Sequence, residues 1–203
     1  MKDDIKFILK NSIIFMIIAF GFSTIGGLFP SSEHSVVLGN PLVVGGITIE
    51  HVMGHIFWGA IIGLGTLSIR YIILGGNFAI LLDADHLLQF LEIELVSRMS
   101  HSIPFAIIAG FVFFVILKGK DIRICAVAVG AVFAHAAFDI FLADVAFNST
   151  TGFPLFSPII LERIEFGGIA WLVFEGLGLM IVVCISYIHK KREKLLKNNL
   201  TKT

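Results

Sequence analysis

Two ionisable side chains, His135 and Asp139, lie inside a long apolar stretch of the sequence. They are four residues apart, so a helix would present both on one face. A histidine and a carboxylate enter hydrocarbon at high cost unless they are paired, face a polar cavity or bind an ion. The pair therefore predicts either a hydrogen bond that fixes helix packing or a metal-binding or catalytic role.

Histidines also open two other apolar stretches. His51 and His55 begin one of them and are four residues apart, so they share a helix face. His101 lies within Ser100–Ser102, directly before another apolar stretch. Imidazole nitrogens at such positions suit zinc, manganese or iron.

Two carboxylates and a histidine lie near the end of a further apolar stretch, in the segment Leu82–His86. Asp83 and His86 are three residues apart and can converge on one side of a helix. Asp85 points elsewhere if that helix stays regular. This group therefore predicts two converging metal ligands and one separate carboxylate.

The composition is that of an integral membrane protein. Of 203 residues, 57% are hydrophobic and only 15% are charged, and the mean hydropathy is +0.94. A soluble domain of this size needs more polar surface. The net charge is zero and no basic domain is present, so no nucleic-acid partner is expected. The two cysteines lie in apolar stretches without paired spacing, which argues against a disulfide.

We expect a single all-α transmembrane domain over residues 1–203, with about six membrane-spanning helices. The predicted spans are 11–30, 51–69, 71–91, 102–117, 122–143 and 167–188. Lysines and arginines cluster at the N-terminus, in Lys118–Arg123 and in a basic tail over 190–203, whereas the loops 31–50, 92–101 and 144–166 carry few. The positive-inside rule then places both termini in the cytoplasm. The predicted location is the cytoplasmic membrane.

This topology brings the four polar groups to one depth, near the outer face. The convergence favours a shared metal site over separate structural hydrogen bonds. The expected ligands are His55, Asp83, His86, His101, His135 and Asp139. Asp85 and His51 are the expected catalytic groups, as proton acceptors for a water made nucleophilic by the ion. Zinc is the leading expectation for the ion, with manganese or iron as alternatives.

The motifs resemble the YdjM-like family of inner-membrane proteins, which is described as metal-dependent hydrolases. That family is similar in carrying Gly-His, Leu-Leu-Pro-Asp-x-Asp-His, His-Arg-x-x-Thr-His-Ser, Ser-His-x-x-x-Asp and Gly-Val-Pro-Leu-x-x-Pro segments in this order. The corresponding segments here are Gly54-His55, Leu81–His86, Ser100–Ser102, Ala134–Asp139 and Gly152–Pro158. Leu82 stands where the family has proline, and Val96 where it has the leading histidine, which His51 would replace as a ligand. The closing segment is expected to fold back over the site.

The leading functional hypothesis is a membrane metallohydrolase that acts on an amphipathic, lipid-type substrate such as a phospholipid or an isoprenoid phosphate. The substrate class follows from a site at head-group depth, among membrane lipids. Two alternatives stay open. A metal-ion or proton transporter would need polar residues continuing to the cytoplasmic face, where the spans are nearly all apolar. A purely structural metal site would only hold helices together.

Overall fold

A computed structural model describes residues 2–25, 48–91, 98–160 and 162–200 of the chain. Within these ranges the protein has six α-helices, two short 3-10 segments and one antiparallel pair of strands. The helices are α1 (Lys2–Ile25), α2 (Ile49–Leu64), α3 (Ile69–Leu81), α4 (Ile103–Ile116), α5 (Ile122–Phe147) and α6 (Ala170–Leu200). The 3-10 segments are Leu82–Leu91 and Met99–His101, and the strands are β1 (Thr151–Phe153) and β2 (Ile164–Phe166).

The expected all-α membrane class is confirmed. Among the described residues, α1, α5 and α6 are long and apolar enough to cross a membrane, and α2 and α4 are shorter apolar helices. The six-span count and the cytoplasmic termini stay predictions. α1 begins at Lys2, well before the expected start at residue 11, because Asp3 and Asp4 in its first turn favour a helix N-terminus there.

Helix α5 is the centre of the bundle. In its most apolar window 72% of the residues are buried, against 17% for α1 and 22% for α6. Its sequence is rich in alanine, which lets neighbouring helices approach closely. Whatever α5 carries at its inner face is therefore shielded from the lipid by the other helices.

Glycines hold α2 and α3 at short range. A Cβ atom added to Gly59 would lie 2.2 Å from the carbonyl oxygen of Gly75, and one added to Gly63 would lie 2.3 Å from that of Tyr71. Only glycine permits such backbone contact between helices. This close pairing sets the position of the α2 histidines, along the helix axis, relative to the carboxylates that follow α3.

The 3-10 segment at the end of α3 departs from the sequence expectation of a continuous span over 71–91. The predicted outer loop 144–166 also contains more structure than expected. α5 continues to Phe147, and β1 then pairs with β2, with Thr151 opposite Phe166. Beyond β1 the chain returns to the start of α4, where the Ile103 N–H donates to the Leu155 carbonyl at 2.9 Å.

A second polar cluster marks the opposite end of the bundle. The Tyr71 hydroxyl donates to Asp121, the cap residue of α5, which also accepts from Arg123. Arg70 lies 3.7 Å from Asp121 and over the ring of Phe7 in α1. Basic residues of α3 and α5 thus meet at this end next to Phe7 of α1, as expected if they share one side of the membrane.

Candidate metal centre

Helix α2 contributes two histidines from its first turns. Thr48 caps the helix by accepting from the His51 N–H. The Nε2 atoms of His51 and His55 lie 3.0 Å apart. A Cβ atom on Gly54 would lie 1.9 Å from Cζ of Phe138, whose ring packs 4.8 Å from the His55 ring. Gly54 therefore makes room for the aromatic side chain that supports His55.

Asp83 is the residue on which the other groups converge. Its Oδ2 lies 3.3 Å from Nε2 of His51 and 3.4 Å from Nε2 of His55. Its Oδ1 lies 3.4 Å from Nε2 of His86 and 3.6 Å from Nε2 of both His101 and His135. One carboxylate thus faces five imidazole rings.

The α5 pair faces the same point. Asp139 lies 3.4 Å from Nε2 of His135 through Oδ2, and 3.2 Å from Nε2 of His55 through Oδ1. The His55 and His135 rings are stacked, 3.9 Å apart. Nδ1 of His135 donates to the Ala79 carbonyl at 2.8 Å, so in the neutral ring Nε2 carries the lone pair and points into the cluster. Metal-binding histidines are oriented in this way.

Asp85 lies on the far side of His101, at the edge of the cluster. Its Oδ2 accepts from the Ser23 hydroxyl of α1 at 3.1 Å, and lies 3.9 Å from Nδ1 of His101. Ser100 joins this network, with its hydroxyl 2.9 Å from that of Ser23 and 3.1 Å from Nδ1 of His101. The carboxylate and the two hydroxyls therefore orient the His101 ring.

Arg98 is the one cation among these described side chains. Its guanidinium donates to Asp83 and lies 3.7 Å from Oδ1 of Asp85. Together with Asp139 the cluster holds three carboxylates and one guanidinium, a charge of minus two when the histidines are neutral. Buried charge of one sign is costly unless it is compensated. One divalent cation would restore neutrality.

The donor atoms fit a metal ion in number and spacing. Four overlapping triads each place three ligand atoms within 4.8 Å of one another. They are His51–His55–Asp83, His55–His135–Asp139, Asp83–His101–His135 and Asp83–Asp85–His86. Metal–ligand bonds of about 2.1 Å in a tetrahedron put donors about 3.4 Å apart, close to the distances above. Nε2 of His101 and Nε2 of His135 are buried without a hydrogen-bond partner, as ligand atoms would be.

Among the described residues, one side of the cluster is more exposed than the others. The side chains of His55 and His135 are completely buried, whereas His51 and His86 are 15% and 12% exposed and Arg98 is 22% exposed. The buried histidines form the floor, and the three partly exposed residues surround the entrance. Within the part of the chain that the structure describes, this is the side from which a small polar group could reach the cluster.

The structure brings together all eight residues expected from the sequence. They are His51, His55, Asp83, Asp85, His86, His101, His135 and Asp139. The 3-10 geometry after Leu82 explains why Asp85 joins the group instead of pointing away. Sequence reasoning missed Arg98 and Ser100 as parts of the site, although both flank His101. It also missed Ser23, which has no distinctive signal within its apolar helix. Val96 lies outside the described residues.

These features define the protein as an all-α membrane protein whose buried His/Asp cluster could hold a metal. The chain belongs to the YdjM inner membrane protein family, whose family model matches residues 47–200. The match covers all eight residues of the cluster and confirms the resemblance to this family that the sequence motifs indicated. It also supports the inner, cytoplasmic membrane as the location. No curated protein and no solved structure matches the chain.

Proposed function

We propose that this protein is a membrane-embedded, metal-dependent hydrolase that acts on an amphipathic, phospholipid-type substrate. The observation that carries the proposal is the convergence of eight ligand-type side chains, Asp83 among them, with a charge of minus two when the histidines are neutral and with buried histidine nitrogens that have no partner. Hydrogen bonding alone does not account for that excess of charge. A divalent cation does.

His55, Asp83, His101, His135 and Asp139 would hold the ion. His86 completes the set of ligands on the open side. The mixture of imidazole and carboxylate favours zinc, with manganese or iron also compatible. When bound, such an ion supplies Lewis acidity and favours ionisation of water near neutral pH.

The protein's own residues then orient the substrate and handle protons. Arg98 pairs with Asp83 and lies 3.7 Å from Asp85, and it would turn to an anionic head group once an ion neutralised these carboxylates. In hydrolysis of a phosphate ester, water gives its oxygen to phosphorus, the bond from phosphorus to the alcohol oxygen breaks, and the alcohol leaves with a proton. His51 lies at the entrance and is suited to accept the proton from water. The buried Asp85 is suited to orient the ring of His101.

Two other functions have less support. A transporter needs a polar path from the cluster to the opposite end, but fully buried phenylalanines fill the interior next to it: Phe15 stacks on Phe78 at 4.4 Å, and Phe78 on Phe113 at 5.5 Å. A purely structural ion would be enclosed by protein ligands. The partly exposed His51 and His86 favour a site open to substrate.

The first test is the metal content of protein purified in detergent without a chelator. We expect about one or two equivalents of metal per chain, since the cluster offers ligands for one or two ions. Asp139→Asn should lose the metal. Asp144→Asn is the matched control, because Asp144 lies on the same helix but accepts from the Gly168 N–H outside the cluster.

Hydrolysis is tested on the same preparations with phosphate esters of long-chain and short-chain alcohols. Both Asp139→Asn and His135→Ala should abolish phosphate release while the fold is retained, as judged by helical circular dichroism. Full activity in both variants would refute the assignment. So would wild-type protein that contains no metal after reconstitution with zinc and manganese.

A further inference from the structure

The two carboxylates at the centre of the cluster divide their oxygen atoms between two histidines. Oδ2 of Asp83 lies 3.4 Å from Nε2 of His55, and Oδ1 lies 3.6 Å from Nε2 of His135. Asp139 repeats the pattern, with Oδ1 3.2 Å from Nε2 of His55 and Oδ2 3.4 Å from Nε2 of His135. Each carboxylate thus connects the same two imidazole rings and offers one oxygen atom to each.

The stacking of these two rings argues against one ion shared between them. The rings of His55 and His135 are within 6° of parallel, and their centroids are 3.9 Å apart. An imidazole nitrogen binds a metal along its lone pair, which lies in the plane of the ring, at about 2.1 Å. An ion midway between the stacked rings would lie roughly 2 Å out of both ring planes, where neither lone pair points. Each ring therefore needs an ion of its own.

Further histidines supply donor atoms on both sides of the carboxylates. Nε2 of His86 and Nε2 of His101 lie 3.4 and 3.6 Å from Oδ1 of Asp83, the oxygen atom that also faces His135. The Nε2 atoms of His101 and His135 are buried and have no hydrogen-bond partner in the described part of the chain. On the other side, Nε2 of His51 lies 3.3 Å from Oδ2 of Asp83. The donor atoms therefore form two sets that share the carboxylates.

We propose that the cluster binds two metal ions, bridged by the carboxylates of Asp83 and Asp139. The inference rests on the proposed function and specifies two ions where that function needs at least one. Two-metal hydrolases hold their ions about 3.5–4 Å apart, close to the 3.9 Å between the stacked rings. One oxygen atom of each carboxylate belongs to each site; the first site adds His55, and the second adds His86, His101 and His135. His51 lies beside the first site on the more exposed side, where it stays available to accept a proton.

Two ions also specify the charge of the substrate. The cluster has a charge of minus two when its histidines are neutral, so two divalent ions would bring it to plus two. Buried charge of one sign needs compensation. A phosphate monoester has a charge of about minus two at neutral pH and would compensate it, whereas a diester would not do so fully. The substrate class is therefore a phosphate monoester of an amphipathic alcohol.

The first experiment counts the ions in protein that is stripped with a chelator and reconstituted with Mn²⁺. Wild-type protein should bind about two equivalents per chain, whereas His101→Ala, which removes a ligand of the second site alone, should bind about one. His189→Ala is the matched control and should retain two, because His189 is also buried but lies 4.0 Å from Asp121 at the opposite end of the bundle. Wild-type protein that binds one equivalent would overturn the proposal.

Helical circular dichroism checks that the variants fold. His86→Ala removes another ligand of the second site at the more exposed edge of the cluster, and it replaces His101→Ala if that variant does not fold. It should also bind about one equivalent. A folded variant of the second site that binds no ion, or still binds two, would overturn the division of the cluster into two sites.

The second experiment detects the bridge between the ions by electron paramagnetic resonance. Two Mn²⁺ ions that share carboxylate bridges are magnetically coupled, so doubly loaded wild-type protein should lose most of the hyperfine spectrum of isolated Mn²⁺. His101→Ala protein, with a single ion, should show that spectrum at full intensity per bound ion. The proposal fails if doubly loaded wild-type protein gives the full spectrum of isolated ions.

Inorganic phosphate tests the charge of the centre without catalysis. In isothermal titration calorimetry it should bind doubly loaded wild-type protein roughly tenfold or more tightly than singly loaded His101→Ala, because Coulomb attraction grows with the charge of the centre. His189→Ala should match the wild type. Equal affinity of the wild type and His101→Ala for phosphate would refute the dianionic substrate.

These measurements separate the two-ion centre from the proposed function. Two coupled ions in a protein that hydrolyses no phosphate ester would retain the two-ion centre and refute the hydrolase. Hydrolysis of phosphate esters by wild-type protein that binds one equivalent of metal would retain the hydrolase and refute the two-ion centre.

Discussion

Substituting Gly54 by alanine tests the packing that holds the α2 histidines in place. The added methyl carbon would lie 1.9 Å from Cζ and 2.3 Å from Cε2 of Phe138. Atoms in contact need about 3.5 Å or more, so the aromatic ring must move. That ring lies 4.8 Å from the His55 ring and 6.0 Å from the His51 ring. Its movement should therefore disturb both histidines.

The expected loss of stability is roughly 1 to 2 kcal/mol. Overpacking a closely packed interior costs about 1–3 kcal/mol, and alanine in place of glycine returns up to about 1 kcal/mol of helix propensity. Gly21→Ala is the control, since its methyl group meets nothing within 4 Å. That variant should be neutral or slightly stabilised.

The assay is reversible unfolding of the detergent-solubilised protein by sodium dodecyl sulfate, combined with metal analysis. Phe138→Leu removes the colliding ring, so Gly54→Ala should cost little in that background. The double-mutant cycle should then give a coupling energy of about 1–3 kcal/mol. The explanation would be refuted if the two substitutions had additive effects on the free energy of unfolding. It would also be refuted if Gly54→Ala were as stable as Gly21→Ala.

Three further predictions concern the site and the opposite end of the bundle. Ser23→Ala should lower metal affinity by about 10- to 100-fold, because it removes a hydrogen bond to the outer carboxylate Asp85; competition with a chromophoric chelator measures this, and unchanged affinity would contradict it. A strong chelator should lower the unfolding midpoint of wild-type protein but not of Asp139→Asn, since metal at about a hundredfold over Kd adds about 2.7 kcal/mol. Burial alone would raise the pKa of Asp121, but hydrogen bonds from Arg123 and Tyr71 bring this pKa below its usual value. Ionised Asp121 therefore stabilises the fold above its unfolded-state pKa of about 3.9, and that stability is lost as the pH falls through the lower folded-state pKa. Asp121→Asn should thus lower stability at neutral pH and weaken its acid dependence, whereas an acid dependence equal to that of the wild type would contradict this account.

The sequence was sufficient to predict the membrane class and most of the polar cluster. Ionisable residues are so costly in apolar helices that their positions alone marked the four groups. Spacings of three and four residues correctly paired His51 with His55, and His135 with Asp139. The expectation that the groups meet rested on alternating helix directions across the membrane, and the structure brings all four groups together around Asp83.

Other parts of the site depend on tertiary contacts that no local pattern encodes. Ser23 reaches Asp85 across 62 positions of sequence, from a helix that is largely apolar around it. Sequence reasoning gave Arg98 no role in the site, because its two carboxylate partners belong to another element.

Leu82 shows how a departure from the family motif can leave the site geometry intact. α3 ends at Leu81, and the 3-10 segment begins at Leu82, where the family-like motif has proline. The φ angle of Leu82 is −60°, within the range that proline enforces. Its N–H bonds only to the Ile80 carbonyl, so a proline here would forfeit no regular helical hydrogen bond. The φ angle of Leu82 is thus one that proline could adopt, and the change of pitch at Leu82 directs Asp83 and Asp85 into one cluster.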